Sequence, residues 1–198
     1  MTPAVPGIPD QEFIRGNIPM TKQEIRILAL VKARLGPAAT VIDIGAGTGS
    51  LSVEAALLAP GGRVFAIEKE AEGAALIRAN AAKFAAANIE ILTGSAPEAL
   101  AGLPVADAIF VGGSGGHLTA ILAAADRLLK PGGRLIVTAV TVETLQQALV
   151  DLEARPGYQT EAAGIQVTRL RKAGGKHLFQ AGNPVYIIAC TKGGPNDR

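Results

Sequence analysis

The sequence predicts an α/β fold: a seven-stranded, mostly parallel sheet with helices on both faces and an antiparallel hairpin at the C-terminal end. Three observations carry this. Short apolar runs alternate five times with longer helical segments, the pattern of right-handed βα crossovers in a parallel sheet. The last two apolar runs have no helix between them and therefore pair antiparallel. Hydrophobic content is 48% with 4% aromatic residues, as in an Ala-, Val- and Leu-rich sheet covered on both sides. A chain of 198 residues holds one such domain, 1–198, and no internal repeat or boundary divides it.

Residues 1–20, punctuated by Pro3, Pro6, Pro9 and Pro19, read as irregular. Thr21-Lys22-Gln23-Glu24 has the form of a capping box, a Thr N-cap with Glu three residues on. It opens a helix to Leu35 that Gly36-Pro37 stops. The first strand, 41–44, breaks into Gly45-Ala46-Gly47-Thr48-Gly49-Ser50, and a helix follows over 51–59. Pro60-Gly61-Gly62 turns the chain into the second strand, 63–67, and a helix covers 71–87. The third strand, 88–93, ends in Gly94-Ser95-Ala96-Pro97. The fourth, 106–111, runs into Gly112-Gly113-Ser114-Gly115-Gly116 and a helix to Leu129. Lys130-Pro131-Gly132-Gly133 is a turn into the fifth strand, 134–140, and 141–154 is helical. Two long strands, 158–170 and 184–191, close the chain, joined by a basic segment.

Several function classes are disfavoured. No apolar run is long enough to span a membrane. The segment 1–9 has three prolines and no cationic region, unlike a signal peptide. A single cysteine, Cys190, leaves no intrachain disulfide or Cys-based zinc cluster, and its apolar strand reads as core. Two histidines, His117 and His177, make no convincing metal site. The expectation is a cytoplasmic protein with no metal of its own. The net charge of +2 is unevenly placed: residues 1–150 hold 12 basic and 13 acidic side chains, residues 151–198 hold 7 and 4. Arg169, Arg171, Lys172, Lys176 and His177 concentrate the excess, a local feature rather than a nucleic-acid-type field.

The glycine run carries the first functional signal. Strand, tight turn and helix put glycines where a Cβ would obstruct a ligand, and the helix start presents free N–H groups to it. A dinucleotide fingerprint reads G-x-G-x-x-G; here the spacing is G-x-G-x-G, and Ser50 stands where the third glycine would fall. This spacing resembles motif I of the Rossmann-like class I S-adenosyl-L-methionine (SAM) methyltransferases, in which the turn accommodates the amino-acid end of SAM. Glu68 ends the next strand, 19 residues after Gly49, where an acid is placed to take a ribose diol. A plain βα turn remains the alternative for the glycines alone, and Ser50 disfavours a nicotinamide site. The turns after Ile44, Ile67, Thr93 and Val111 all fall on the carboxyl edge of the sheet, where ligands sit in such folds.

Further segments extend the resemblance along nearly the whole chain: Ile8-Pro9-Asp10 with Glu12-Phe13-Ile14-Arg15, Pro19-Met20-Thr21-Lys22-Gln23-Glu24, Ala96-Pro97-Glu98-Ala99-Leu100, Gly112 to Gly116, Lys130 to Gly133, and Asn183-Pro184-Val185-Tyr186. Together they resemble the decarboxylating precorrin C-15 methyltransferases of cobalamin biosynthesis. The resemblance implies SAM-dependent methylation of carbon 15 of a precorrin with loss of carbon dioxide from the acetate arm on carbon 12. It implies a stand-alone enzyme taking cobalt-precorrin-6B to cobalt-precorrin-7, the cobalt-free substrate staying open and any metal belonging to the substrate. A homo-oligomer, a tetramer, is implied too, with the C-5 precorrin methyltransferase as functional partner; neither nucleic acid nor membrane is expected.

On this reading the segment before Thr21 folds over the cofactor and Thr21 touches SAM, although an N-cap role alone would account for it. Gly45, Ala46, Gly47, Thr48 and Gly49 line the methionine end. Asp43 holds the glycine loop or the cofactor, or is purely structural. Glu68 takes the ribose hydroxyls, and Ser95 and Ala96 meet the adenine; a helix start with Ser as cap and Pro in the first turn is the rival account of that segment. The loop around Gly113 and Ser114 follows strand four, where the methyl emerges. Four glycines in five residues carry an entropic cost that a connector avoids, so its backbone is expected against the macrocycle, with Ser114 as a donor. Arg169 and Arg171 alternate along a strand and face one way; with Lys176 they are the expected contacts to substrate carboxylates, a solvated hairpin being the rival. Asn183-Pro184-Val185-Tyr186 is read as structural. No side chain declares itself as catalytic or as the proton source for decarboxylation, and the order of the two steps is not legible. Other readings are a methyltransferase for tRNA or protein, against which the near-neutral first 150 residues argue, and a SAM-binding module without turnover.

Overall fold

The computed structural model describes residues 5–193; residues 1–4 of the expected irregular segment, with Pro3, lie outside them. In chain order the elements are α1 (Gln23–Ala33), β1 (Thr40–Ile44), α2 (Ser50–Leu58), β2 (Arg63–Glu68), α3 (Ala71–Lys83), β3 (Ile89–Thr93), β4 (Ala106–Val111), α4 (Leu118–Leu128), β5 (Leu129–Ala139), α5 (Val142–Glu153), β6 (Tyr158–Ile165), β7 (Thr168–Ala173), β8 (Lys176–Ala181) and β9 (Val185–Lys192). Seven strands form one sheet in the order β3-β2-β1-β4-β5-β9-β6. β1 pairs parallel with β2 and with β4, and β9 runs antiparallel between β5 and β6. The strand order reverses between β1 and β4, so the loops leaving their carboxyl ends border the same crevice.

Strand alternation explains the two cores. Ile42, Ile44, Ile67, Ile109 and Val137 face α4 and α5, where Ile121, Leu122, Ala148 and Leu152 cover them. Val41, Val64, Ala108, Phe110 and Ile136 face the other way, against Ile25, Ala29 and Leu30 of α1 and Val53 and Ala55 of α2. Truncating one fully buried side chain such as Ile42 costs about 2–5 kcal/mol.

Several sequence expectations change. The single strand expected over 158–170 is two strands. β6 stays on β9 as far as the Ile165–Val185 pair, and β7 leaves to pair with β8 in a separate two-stranded sheet. Pro184, which has no N–H to donate to a ladder, marks where the partner strand starts, and Gly182 N closes the excursion on Val167 O at 2.8 Å. The basic segment is therefore a hairpin of its own, not a connection between the last two strands.

The capping box is also not formed. Lys22 occupies the N-cap of α1 and no side chain caps the helix. Thr21 instead gives its carbonyl to Arg26 Nη1 at 2.6 Å, and Glu24 turns outward to Arg169. α3 ends at Lys83 rather than at 87, where Ala85 takes a positive φ, and α1 ends at Ala33, with Arg34 left-handed. Leu129 begins β5 by pairing with Ala106, so the Lys130-to-Gly133 turn lies within that strand's span. No helix among the described residues is long and apolar enough to cross a membrane.

Candidate active site

The loop from β1 to α2 is shaped by contacts that leave no room for side chains. Gly45 has φ +72°, and a Cβ there would lie 2.7 Å from the backbone N and O of Gly113. The two glycine-rich loops, one after β1 and one after β4, thus touch backbone to backbone. Gly47 has φ +59°, and its Cβ would lie 2.8 Å from Pro19 O. Both positions combine a left-handed conformation with a close approach, which is why they are glycine. Gly45 N and Ala46 N both donate to Ile67 O at 3.0 Å, holding the loop against the end of β2.

Asp43 and Ser52 bracket the loop. Ser52 Oγ donates to Asp43 Oδ2 at 2.5 Å, both side chains being buried. Burial pushes the Asp43 carboxyl up to about 6; the Ser52 hydrogen bond pulls against this and the nearby Glu68 charge adds to it. Asp43 does not line the cavity described below; it fastens the two ends of the glycine loop together.

Glu68 ends β2 with a largely buried carboxylate. Gly47 N donates to its Oε2 at 2.8 Å and Glu70 N to its Oε1 at 2.9 Å. Each oxygen has a lone pair left for a second donor. Gly73 on α3 makes room for this side chain, since a Cβ there would lie 2.6 Å from Glu68 Cγ.

The segment before α1 is a strap pinned from beneath by three buried polar side chains, Arg26, Glu54 and Asn80. Arg26, fully buried, donates to Glu54 Oε1 at 2.5 Å, to Asp10 Oδ1 at 3.2 Å and to the carbonyls of Thr21 and Ile8. Glu54 also accepts from Gly7 N at 2.5 Å and Ile8 N at 3.2 Å. Asn80 accepts from Ile14 N at 2.7 Å and donates to Ile14 O and to Thr48 O, at 3.0 and 2.9 Å, joining the strap to the glycine loop through α3. Sequence reading missed this network. Its signal was a charged side chain set among apolar neighbours, Arg26 beside Ile25 and Glu54 between Val53 and Ala55.

These parts enclose a cavity of about 580 Å³ at the carboxyl edge of the sheet. Thr21, Gly45, Ala46, Gly47, Glu68, Ser95, Ala96, Gly113 and Ser114 all line it. Thr48 and Gly49 stand behind the wall: Thr48 is buried, and Gly49 packs on Ile77 of α3. Arg169, Arg171 and Lys176 line no part of it and lie on the exposed hairpin. Lining residues to which sequence reading gave no place in the cofactor or substrate site include Met20, Lys22, Lys69, His117 and Thr138. Ser95 caps no helix; the turn that follows is a short 3-10 segment, Glu98–Leu100, entered through Pro97. Among the described residues no group of His, Cys, Asp and Glu is placed to hold a metal ion.

A model of the precorrin methyltransferase domain matches residues 12–192. The chain belongs to the precorrin methyltransferase family. It is 46% identical over 184 residues to the cobalt-precorrin-6B C(15)-methyltransferase (decarboxylating) of Salmonella typhimurium, covering 92% of this chain and 95% of that one. A solved precorrin-6Y C5,15-methyltransferase from Geobacter metallireducens GS-15 superposes with a TM-score of 0.89 at 42% identity, over 96% of this chain and 100% of that one. The precorrin-8W decarboxylase of Methanobacterium thermoautotrophicum follows at 0.85 and 35%, over 92% and 98%. A SAM-dependent O-methyltransferase from Thermotoga maritima, 20% identical, shares the fold alone, with a TM-score of 0.77 over 90% of this chain and 68% of that one. This family member thus has the class I SAM methyltransferase fold, with its β7–β8 hairpin as a separate small sheet.

Proposed function

We propose that this protein methylates carbon 15 of cobalt-precorrin-6B with SAM and removes carbon dioxide from the acetate arm on carbon 12, a step of cobalamin biosynthesis. The observation that carries the reading is the convergence of the Gly45–Gly47 turn, Glu68 and the Gly113–Ser114 loop on one cavity, in a chain that the precorrin family model matches almost end to end.

The residues present fit SAM. Gly45 and Gly47 form a cradle that a Cβ would fill, and the Glu68 carboxylate lines the cavity with acceptor capacity for a ribose diol. Thr21 from the strap, Ala46 from the glycine turn, and Ser95 and Ala96 beyond β3 would complete the cofactor's surroundings; Thr48 and Gly49 would shape the turn from behind. SAM, when bound, supplies an activated methyl group. The protein's own part is alignment and the exclusion of water. The strap, held down by Arg26, Glu54 and Asn80, closes one side. The loop carrying Gly113 and Ser114 offers backbone that a flat macrocycle can approach. Arg169, Arg171 and Lys176 would meet substrate carboxylates from outside the cavity, and the protein requires no metal of its own.

Cytoplasmic location and assembly with further copies of the chain belong to the same proposal. What supports assembly is an apolar cross-strand pair on the hairpin, Leu170 opposite Phe179, which are 64% and 83% exposed; sedimentation would read the number of copies. The test of function is mass spectrometry of a reaction with SAM and cobalt-precorrin-6B. One methyl gained and one carbon dioxide lost is the expected product. No change, with SAM binding intact, would refute the assignment for this substrate and send the test to the cobalt-free precorrin.

A further inference from the structure

Decarboxylation needs an acid. Breaking the bond between the acetate methylene and its carboxylate releases carbon dioxide and leaves the electron pair on the methylene carbon, delocalised into the ring. That carbon becomes a methyl group only when a proton arrives. The ionisable side chains lining the cavity are Lys22, Glu68, Lys69 and His117, with hydroxyls from Thr21, Ser95, Ser114 and Thr138. Glu68 is engaged by two backbone N–H groups. Among these side-chain types only an imidazole ordinarily takes up and gives off protons near neutrality.

We infer that His117 is the catalytic acid for the decarboxylating half of the reaction, an assignment that rests on the function proposed above. His117 immediately follows the Gly112-to-Gly116 loop and is the N-cap of α4, and its backbone N–H donates to Ser114 O at 2.9 Å. It is exposed and lines the cavity on the same side as Gly113 and Ser114. Its ring makes no hydrogen bond to the protein among the described residues, and the residue is exposed to solvent. The imidazolium N–H delivers its proton to the methylene carbon as carbon dioxide leaves, and the neutral ring takes a proton back from water. Glycines on four of the five preceding positions keep side chains from standing between the ring and a bound macrocycle.

The test is His117→Asn, with His117→Gln beside it. Asn is favoured at a helix N-cap, so α4 retains its start. Products are read by mass spectrometry, which counts methyl gain and carbon dioxide loss separately. SAM affinity is read by calorimetry. The expected result is unchanged SAM affinity, continued methyl gain, and carbon dioxide loss slowed about 100-fold or more. The pH dependence of that loss should disappear with the imidazole, and added free imidazole should restore part of the rate. Carbon dioxide loss at the wild-type rate with the wild-type pH profile would overturn the assignment. So would a parallel fall in both activities that imidazole does not relieve. Failure of the underlying function looks different: there the wild-type protein itself yields neither change.

Discussion

Arg169 Nη2 lies 2.8 and 2.6 Å from the two carboxylate oxygens of Glu24, 145 residues earlier in the chain. This contact ties the β7–β8 hairpin to the first turn of α1, two residues beyond Lys22 at the cavity wall. Part of the charge of Arg169 is thereby spent within the protein. Arg171 projects from the same face of β7 and is opposite Leu178 rather than an acid.

The two arginines should therefore respond differently. Arg171→Ala is expected to raise the KM for the tetrapyrrole about tenfold, the loss of one charge-assisted hydrogen bond, with kcat little changed. Arg169→Ala should cost at most about 1 kcal/mol of stability, since both partners are exposed. Steady-state kinetics beside denaturant unfolding read both. Unchanged substrate constants in Arg171→Ala would remove the basic hairpin from substrate binding.

Glu68→Gln should weaken SAM binding about tenfold or more by calorimetry. An amide nitrogen cannot accept from Gly47 N or Glu70 N, so one backbone donor loses its partner and the ribose loses a charged acceptor.

Gly47→Ala should strip SAM binding and loosen the strap together. The new Cβ would meet Pro19 O at 2.8 Å in a left-handed backbone, a strain of about 1–2 kcal/mol from the conformation alone. Faster proteolysis within residues 7–21, compared with wild type, would report the loosened strap; an unaltered pattern would show that the strap does not depend on this contact.

Arg26→Met should destabilise the protein by about 3–5 kcal/mol, because it leaves the buried Glu54 carboxylate without its cation. The double variant Arg26→Met with Glu54→Leu should recover much of that loss. If the single variant unfolds at the same denaturant concentration as wild type, Arg26 does not anchor the strap.

Asp43 sets a pH dependence of stability. Its folded pKa of about 6 lies above the ordinary value of 3.8, so the folded state binds the proton more tightly than the unfolded one. The contribution is complete below about pH 4 and is lost as pH rises through 6, a swing of about 3 kcal/mol. Asp43→Asn cannot ionise and should gain stability relative to wild type by about that amount between pH 4 and pH 7. Guanidinium unfolding of both proteins at the two pH values checks this; a constant difference would contradict it.

The βα alternation, the glycine turn and Glu68 are all legible in the sequence. So is the grouping of the turns after β1, β2, β3 and β4 on one edge, because a parallel sheet places every carboxyl end together. The strand breaking at Gln166 and Val167 was not legible, since nothing in 158–170 interrupts β-type sequence strongly. The unformed capping box has a similar cause: Thr21 carried the right local pattern, but Arg26 claimed its carbonyl and Arg169 claimed Glu24.

By itself the sequence determined the strand-turn-helix units and the residue types at their ends, since steric freedom at glycine, hydrophobic period and turn chemistry act within a few residues. Tertiary structure alone decided that Gly45 meets Gly113, that Pro19 closes on Gly47, that Arg26 finds Glu54 and that the hairpin leaves the main sheet. Those are choices of partner between distant parts of the chain. They are settled by which buried polar groups find partners and which surfaces fit once both faces of the sheet are covered.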